Sequence, residues 1–300
     1  MLFGARIRAF LSAAGRSSPH VLAAVLMTSG CDDGAPPPAL LLPPTPVVEQ
    51  GIVRIAGSGA AIPLLSRLAQ AWSASHPSPR IVVEPSVGST GGVRAVSEMA
   101  IDLGVVARPL KPSEAGPALV VIPLARDAVV LAGHPALPID DISSSFLVDL
   151  MTGTRTAFED GSHAAFLLRD RDDTAHSALE QVVPGLRTPR EQAHATRRFP
   201  VLRHDDAMGI ALSATPGAIG PFSLGAILSE HLPLRVLAID GVRPTTEGVK
   251  TGAWKASRDL SFVVRRDRIE RSASFLAFAR SDEGAKVIGD SGYVPVEDAP

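Results

Sequence analysis

The sequence contains very little cysteine and few aromatic residues, and each shortage excludes a class of function. A single cysteine among 300 residues, Cys31, rules out an internal disulfide, a CxxC redox pair and a cysteine-based zinc site. Two tryptophans and one tyrosine supply little material for an aromatic cage around a quaternary amine. The formal net charge of −2 lacks the basic excess of nucleic-acid-binding proteins. We therefore expect no nucleic-acid partner.

The common catalytic and cofactor motifs are also missing. The string "GVRPTTEGVKTG" contains Gly-Val-Lys-Thr but not the spacing of a phosphate-binding P-loop. No GxSxG, HExxH or paired-histidine spacing occurs, and the eight histidines are scattered. The sequence thus predicts neither a cofactor nor a metal site.

The first fifty residues are typical of a targeting segment followed by a tether. Arg6, Arg8 and Arg16 precede a short apolar run, "HVLAAVLMTSGC", that ends in small residues at Cys31. This pattern predicts a signal peptide over residues 1–30, and "MTSGC" resembles a bacterial lipobox in which Cys31 is lipidated. The alternative is a buried free thiol, but Cys31 leads into the proline-rich stretch "DDGAPPPALLLPPTP". Residues 31–50 are predicted to be a semi-rigid tether in polyproline II geometry.

From residue 51 onward, short β-like runs alternate with helical periodicity. The runs "VRIAG", "RIVVEPS" and "IDLGVVA" predict strands, and the apolar spacing in "AIPLLSRLAQAWSASHP" predicts a helix. This alternation predicts an α/β fold with largely parallel sheets. The glycine- and proline-containing stretch "ATPGAIGPFSLGAI" is interpreted as a crossover between lobes.

Two glycine-rich turns, each placed between a strand and a helix, are candidate anion sites. They are "GSGAAIP" at 57–63 and "GSTGG" at 88–92. A helix start presents unpaired N–H groups and the positive end of a dipole, and small residues let an anion approach the backbone. A tight cap with no ligand is the alternative for each turn.

The run "RDRDDTAH" at 169–176 is a dense charged stretch. It is either a solvated loop with local ion pairs or an arginine directed at an oxyanion and oriented by acidic and hydroxyl neighbours.

Taken in order, these motifs resemble the phosphate-type (PstS-like) substrate-binding proteins of bacterial ABC transporters. The resemblance extends over nearly all of residues 51–297 and adds "IDLGVVARPL", "ATPGAIGPFSLG" and "FLAFARSDEGAKVIGDSGYVPV" to the two turns. It implies a two-lobed type 2 periplasmic-binding-protein fold with hinge strands and a central ligand cleft. Lobe I would comprise 51–124 and 225–300, and lobe II 125–224.

The resemblance also implies a ligand site. The candidate ligand-binding residues come from the first turn, the second turn and the charged run: Gly59, Ala60, Ala61, Ile62, Ser89, Thr90, Gly91, Arg169, Asp173 and Thr174.

Several positions depart from the family pattern. A Thr-Phe pair is replaced by Ala61 and Ile62, an acceptor by Ala107, and the "SGT" positions of the family motif by Asp173, Thr174 and Ala175. Each hydrogen bond lost to a charged ligand costs about 1.5–3 kcal/mol. Phosphate remains the first expectation because Ser89, Arg169 and both glycine turns are kept.

The resulting prediction is a monomeric, non-enzymatic lipoprotein at the periplasmic side or cell surface. It would capture phosphate or a related oxyanion between its lobes and deliver it to an ABC permease. A sensory or scaffold lipoprotein with a changed or lost ligand is the alternative, and a sensor-kinase gene beside this one, rather than permease genes, would favour it. A hydrolase using Ser89 would need a histidine base that the sequence does not position.

Overall fold

The fold is built on one mixed sheet covered by helices. A computed structural model describes residues 51–296; the predicted signal peptide, Cys31 and the tether lie outside the described residues. The strands are β1 Ile52–Gly57, β2 Arg80–Val83, β3 Leu103–Val106, β4 Leu119–Gly133, β5 Asp141–Ile142, β6 Ala165–Phe166, β7 Leu168–Arg169, β8 Val201–Leu202, β9 Ala218–Ser223, β10 Arg235–Val236, β11 Ala238–Ile239, β12 Ser257–Arg265 and β13 Val294–Pro295. The α/β prediction is confirmed.

The helices lie between these strands. They are α1 Ile62–Ser75, α2 Gly88–Ser97, α3 Ser144–Thr152, α4 Thr174–Leu179, α5 Arg187–Ala195, α6 Asp205–Ala214, α7 Leu224–Ser229, α8 Thr246–Thr251, α9 Ala273–Ala279 and α10 Asp282–Asp290. Two short 3₁₀ helices, Gly59–Ala61 and Arg266–Arg271, precede α1 and α9. No helix within residues 51–296 is long and apolar enough to span a membrane.

The main sheet has the strand order β2-β1-β3-β12-β4-β9-β6, with β10 and β13 also pairing with β4. Its ends are parallel, because β1 pairs in parallel with β2 and β3, and β6 pairs in parallel with β9. Its centre is antiparallel, since β12 runs against both β3 and β4, and β4 runs against β9. The prediction of largely parallel sheets is therefore wrong for the centre, where strands distant in sequence meet without a crossover helix.

Two large hydrophobic cores lie along this sheet, beside a small third cluster of Val93, Val106 and Val263. The first gathers buried residues from 53–125 and 260–293, including Trp72, Leu103 and Phe275. The second gathers buried residues from 128–256 with Val294, including Phe166 and Trp254. Each core is the interior that one lobe requires.

β4 connects the two cores, and β12 pairs with it along most of its length. Ala125 of β4 and Leu260 of β12 pack in the first core, whereas Ala128 and the residues after it in β4 pack in the second. By contrast, the expected crossover at 214–227 contributes its buried residues to the second core. The lobe boundaries remain a proposal, and this packing favours a second boundary near residue 257 over one near 225.

Candidate ligand-binding cleft

A polar cavity of about 430 Å³ lies where the two lobes meet. The first lobe lines it with the glycine turns and the loop after β3, and the second lobe lines it with the loop after β7 and the start of α6. Its lining residues are Ser58, Gly59, Ser86, Val87, Gly88, Ser89, Thr90, Ala107, Arg108, Lys111, Arg169, Asp170, Asp172, Asp173, Thr174, Arg203, His204, Asp205 and Arg258. We call this cavity the cleft.

The second glycine turn is the first turn of a helix rather than a loop. α2 begins at Gly88; its N-cap residue Val87 supplies no side-chain hydrogen bond, and the Gly88 N–H donates a long hydrogen bond of 3.4 Å to Ser86 Oγ. Gly92 allows α2 to lie against β1, since a Cβ there would be 2.9 Å from the Cα of Gly57. The strand therefore holds this helix start, with its positive dipole end, at the cleft.

Two of the three hydroxyl groups predicted to contact the ligand, those of Ser89 and Thr174, form hydrogen bonds with the backbone of Ala107 at the cleft wall. Ala107 N–H donates to Ser89 Oγ at 3.2 Å, and the Thr174 hydroxyl donates to the Ala107 carbonyl oxygen at 3.1 Å. Thr90 Oγ1 accepts a hydrogen bond from Arg108 Nη2 at 2.8 Å. Contacts from both lobes thus meet at Ala107.

The first glycine turn reaches the cleft only in part. Gly59 lines it, but Ala60 and Ala61 are buried in the protein interior. The Ala61 and Ile62 N–H groups donate to the carbonyl oxygens of Ser58 and Gly59. Ile62 lines a second, more apolar cavity of about 380 Å³ that shares Gly59, Ser86 and Asp205 with the cleft. Gly91 is absent from the lining of both cavities.

Arg169 is the most deeply held cation of the cleft. β7 positions it, and the residue is 4% exposed. Its Nε atom donates to Asp173 Oδ2 at 2.8 Å, and its Nη2 atom donates to Asp205 Oδ2 at 3.1 Å. Its Nη1 atom is buried and has no hydrogen-bond partner among the described residues. A buried guanidinium N–H without a protein partner is the donor that an oxyanion would satisfy.

Asp173 is fixed as an anion. It caps α4 by accepting a hydrogen bond from Ala175 N–H at 2.9 Å. Burial opposes its ionisation, but the charges of Arg169 and Arg258 outweigh burial and lower the pKa of Asp173 below its usual value. Asp173 is therefore a partner of the arginines and does not donate a hydrogen bond at neutral pH.

Arg258 is a second buried cation that the sequence analysis missed. It lies directly opposite Asp127 in the β12–β4 pairing, and its Nε atom donates to Asp127 Oδ2 at 3.0 Å. Burial raises the pKa of Asp127, and the charge of Arg258 opposes that rise. The Ser223 hydroxyl also donates to Asp127 at 2.8 Å. We call Arg169, Arg258, Asp127, Asp173 and Asp205 the cleft charge cluster.

Arg108 lines the cleft with its charge already neutralised. Its two Nη atoms each donate to Glu114 at 2.7 Å. These side-chain hydrogen bonds lower the pKa of Glu114 to about 2. The sequence analysis did not single out Arg108 as a cleft residue. The signal that could have done so is its position two residues after the end of β3, in the loop that lines the cleft.

His176 supports Arg169 from beneath the cleft. Its Nε2 atom lies 3.1 Å from the backbone nitrogen and 2.9 Å from the carbonyl oxygen of Arg169. Burial lowers the pKa of His176 to about 4, so it is neutral at physiological pH. Ser89 has no hydrogen bond to a histidine within residues 51–296, and no group of three metal-ligating side chains occurs in that range.

The two-lobed α/β fold and the polar cleft between its cores define the class: a binding protein that encloses a small ligand between lobes. The model of the PBP superfamily domain matches residues 43–283, and the chain belongs to this superfamily. The predicted family and fold class are thereby confirmed.

Individual relatives point in the same direction. The chain is 25% identical over 261 residues to the phosphate-binding protein PstS of Bacillus subtilis, covering 83% of this chain and 82% of that protein. Its fold is similar to a structure described as a phosphate ABC transporter substrate-binding protein with bound phosphate from Clostridium perfringens (TM-score 0.70, 22% identity, 82% and 100% covered). It is also similar to an ABC-type phosphate transport receptor from Vibrio cholerae (TM-score 0.58, 20% identity, 81% and 100% covered).

Proposed function

We propose that this chain is an extracytoplasmic binding protein that captures phosphate or a related oxyanion in the cleft and delivers it to an ABC permease. The observation that carries the proposal is Arg169, a buried cleft arginine whose Nη1 atom has no hydrogen-bond partner within residues 51–296. The first turn of α2, with Gly88, Ser89 and Thr90, lines the same cleft. Both features favour an anion with several acceptor oxygens.

Delivery of the ligand to the permease depends on closure of the two lobes around the cleft. A ligand that contacts both lobes stabilises the closed arrangement, which a membrane partner then recognises. We further propose that Cys31 carries a lipid anchor and that the body acts as a monomer outside the cytoplasm. Relatives that are phosphate-binding transport proteins support this role over an enzymatic one.

Calorimetric titration of the purified chain with phosphate, then sulfate, molybdate and phosphonates, tests the proposal. Arg169→Lys keeps the charge beside Asp173 and Asp205 but loses the planar fork of donors. We expect it to raise the phosphate dissociation constant about 10- to 150-fold, the equivalent of a charged hydrogen bond of about 1.5–3 kcal/mol.

Arg187→Lys is the matched control. This arginine pairs with Glu180 at 3.0 Å, is mostly exposed and lies outside the cleft lining. Its substitution is expected to leave binding unchanged. Equal phosphate affinity of Arg169→Lys and the unsubstituted chain would refute the assigned site. Folded protein that binds none of these oxyanions would favour the sensory or scaffold alternative.

A further inference from the structure

Asp205 extends its carboxylate across the cleft from the second lobe to the first. It is the first residue of α6, and its Oδ2 atom accepts a hydrogen bond from Arg169 Nη2 at 3.1 Å. The same oxygen lies close to the first glycine turn, since a Cβ on Gly59 would be 2.3 Å from it. The carboxylate thus occupies space between the arginine and the turn.

Asp205 is the least constrained carboxylate of the cleft charge cluster. Asp127 accepts hydrogen bonds from Ser223, Gly225 and Arg258, and Asp173 accepts from Ala175 and Arg169. Within residues 51–296, the Asp205 side chain accepts its hydrogen bond from Arg169 alone. Its side chain is also 19% exposed, compared with 5% for Arg169. Its displacement therefore breaks one protein hydrogen bond.

The charge balance makes this carboxylate a competitor for an anion. Two guanidinium groups of the cluster face three carboxylates, so the cluster already holds more acidic than basic groups. If Asp205 stays in place, an oxyanion bound to Arg169 lies close to its carboxylate, and the two negative charges repel each other. The start of α6 still favours a carboxylate that has moved away from Arg169, because the positive end of the helix dipole acts throughout the first turn.

We propose that Asp205 is a built-in competitor: its carboxylate holds Nη2 of Arg169, and an external oxyanion takes this atom together with the unpartnered Nη1 on binding. The anion has to displace it, so Asp205 determines the affinity of the cleft. This inference rests on the proposed function and adds a residue that sets the concentration at which the cleft fills.

The test compares Asp205→Asn with Asp206→Asn in the full chain by calorimetric titration with inorganic phosphate. Asparagine keeps the size of the side chain and removes its charge. Asp206 is the next residue of the same helix turn, and its carboxylate caps the Ala207 N–H rather than contacting Arg169. We expect Asp205→Asn to lower the dissociation constant at least about tenfold, equivalent to about 1.4 kcal/mol, and Asp206→Asn to change it less than about twofold. Thermal melting of each variant establishes that it is folded.

The outcomes separate the two hypotheses. Binding gained by Asp205→Asn when the unsubstituted chain shows none supports the competitor. Phosphate binding by the unsubstituted chain that Asp205→Asn leaves equal or weakens overturns the competitor alone, and a weaker affinity assigns Asp205 as an acceptor for a ligand proton. Absence of binding by both proteins, with phosphate and with the other oxyanions, overturns the proposed function together with the competitor. An equal gain in Asp206→Asn also overturns the competitor, because it reduces the effect to general charge.

Discussion

The buried pair of Asp127 and Arg258 supports a quantitative prediction about stability. Asp127 is 0% and Arg258 7% exposed, and they face each other on the paired strands β4 and β12, of which β4 connects the two cores. Asp127→Asn keeps the shape of the side chain but leaves Arg258 without its nearest charge partner. Asp173 compensates only in part, since its Oδ1 atom lies 3.7 Å from Arg258 Nη1.

The expected cost follows from the loss of one partner of a buried ion pair. Such changes destabilise proteins by about 3–5 kcal/mol, because the remaining charge keeps its desolvation penalty. For a domain of this size, 1 kcal/mol corresponds to about 2–4 °C in melting temperature. We therefore expect Asp127→Asn to lower the melting temperature by about 6–20 °C.

The assay is urea denaturation and thermal melting of the purified chain. Asp259→Asn is the matched control, because Asp259 is 73% exposed, lies next to Arg258 on the same strand and pairs with Arg126 at 3.2 Å. Exposed pairs contribute about 0–1 kcal/mol. If Asp127→Asn were no more destabilising than Asp259→Asn, the assignment of a charged, mutually dependent buried pair would be wrong.

Two further predictions concern the walls of the cleft. Glu114→Gln should lower the free energy of unfolding by about 1–3 kcal/mol at pH 7, because Arg108 loses its carboxylate partner. Because the pKa of Glu114 is lowered from 4.5 to about 2, the difference in unfolding free energy between the two proteins is full above about pH 4.5 and disappears as the pH falls toward 2. A pH-independent difference in urea titrations would contradict this prediction. Gly92→Ala should lower the free energy of unfolding by about 1–3 kcal/mol, because the new Cβ would meet the backbone of Gly57 and Ala56 and push α2 away from β1. Gly289→Ala, where a Cβ contacts nothing within 4 Å, should be neutral or stabilising, and similar melting temperatures for both variants would refute the packing argument.

The sequence was sufficient to predict the elements that depend on local pattern. Apolar spacing predicted α1 and the strands β1 to β3, because the hydrophobic period of a helix or a strand can be read from the sequence. The order of the motifs predicted the family and the fold class. The same local pattern failed for the centre of the sheet, since alternation of strands and helices does not reveal that β12 returns antiparallel between β3 and β4.

The candidate site divides in the same way. Gly59, Ser89, Thr90, Arg169, Asp173 and Thr174 lie at the cleft as the motifs predicted, whereas Ala60, Ala61, Ile62 and Gly91 do not line it. The roles of all these residues as ligand contacts stay predictions. Arg258 and Asp205 were missed because the residues that they contact in space lie far away in the sequence, 131 positions for Asp127 and Arg258 and 36 positions for Arg169 and Asp205.

The amino-acid sequence by itself determined the first three strands and the first helix, the family of the chain and one of the arginines that line the cleft. Only the tertiary structure decided the charge balance of that cleft. Asp127, Asp173 and Asp205 come from three separate segments, and they meet Arg169 and Arg258 only after β4, β12 and α6 have packed together. Electrostatic interactions depend on distance in space rather than on separation along the chain, and for that reason the competing carboxylate of Asp205 became visible only in the folded protein.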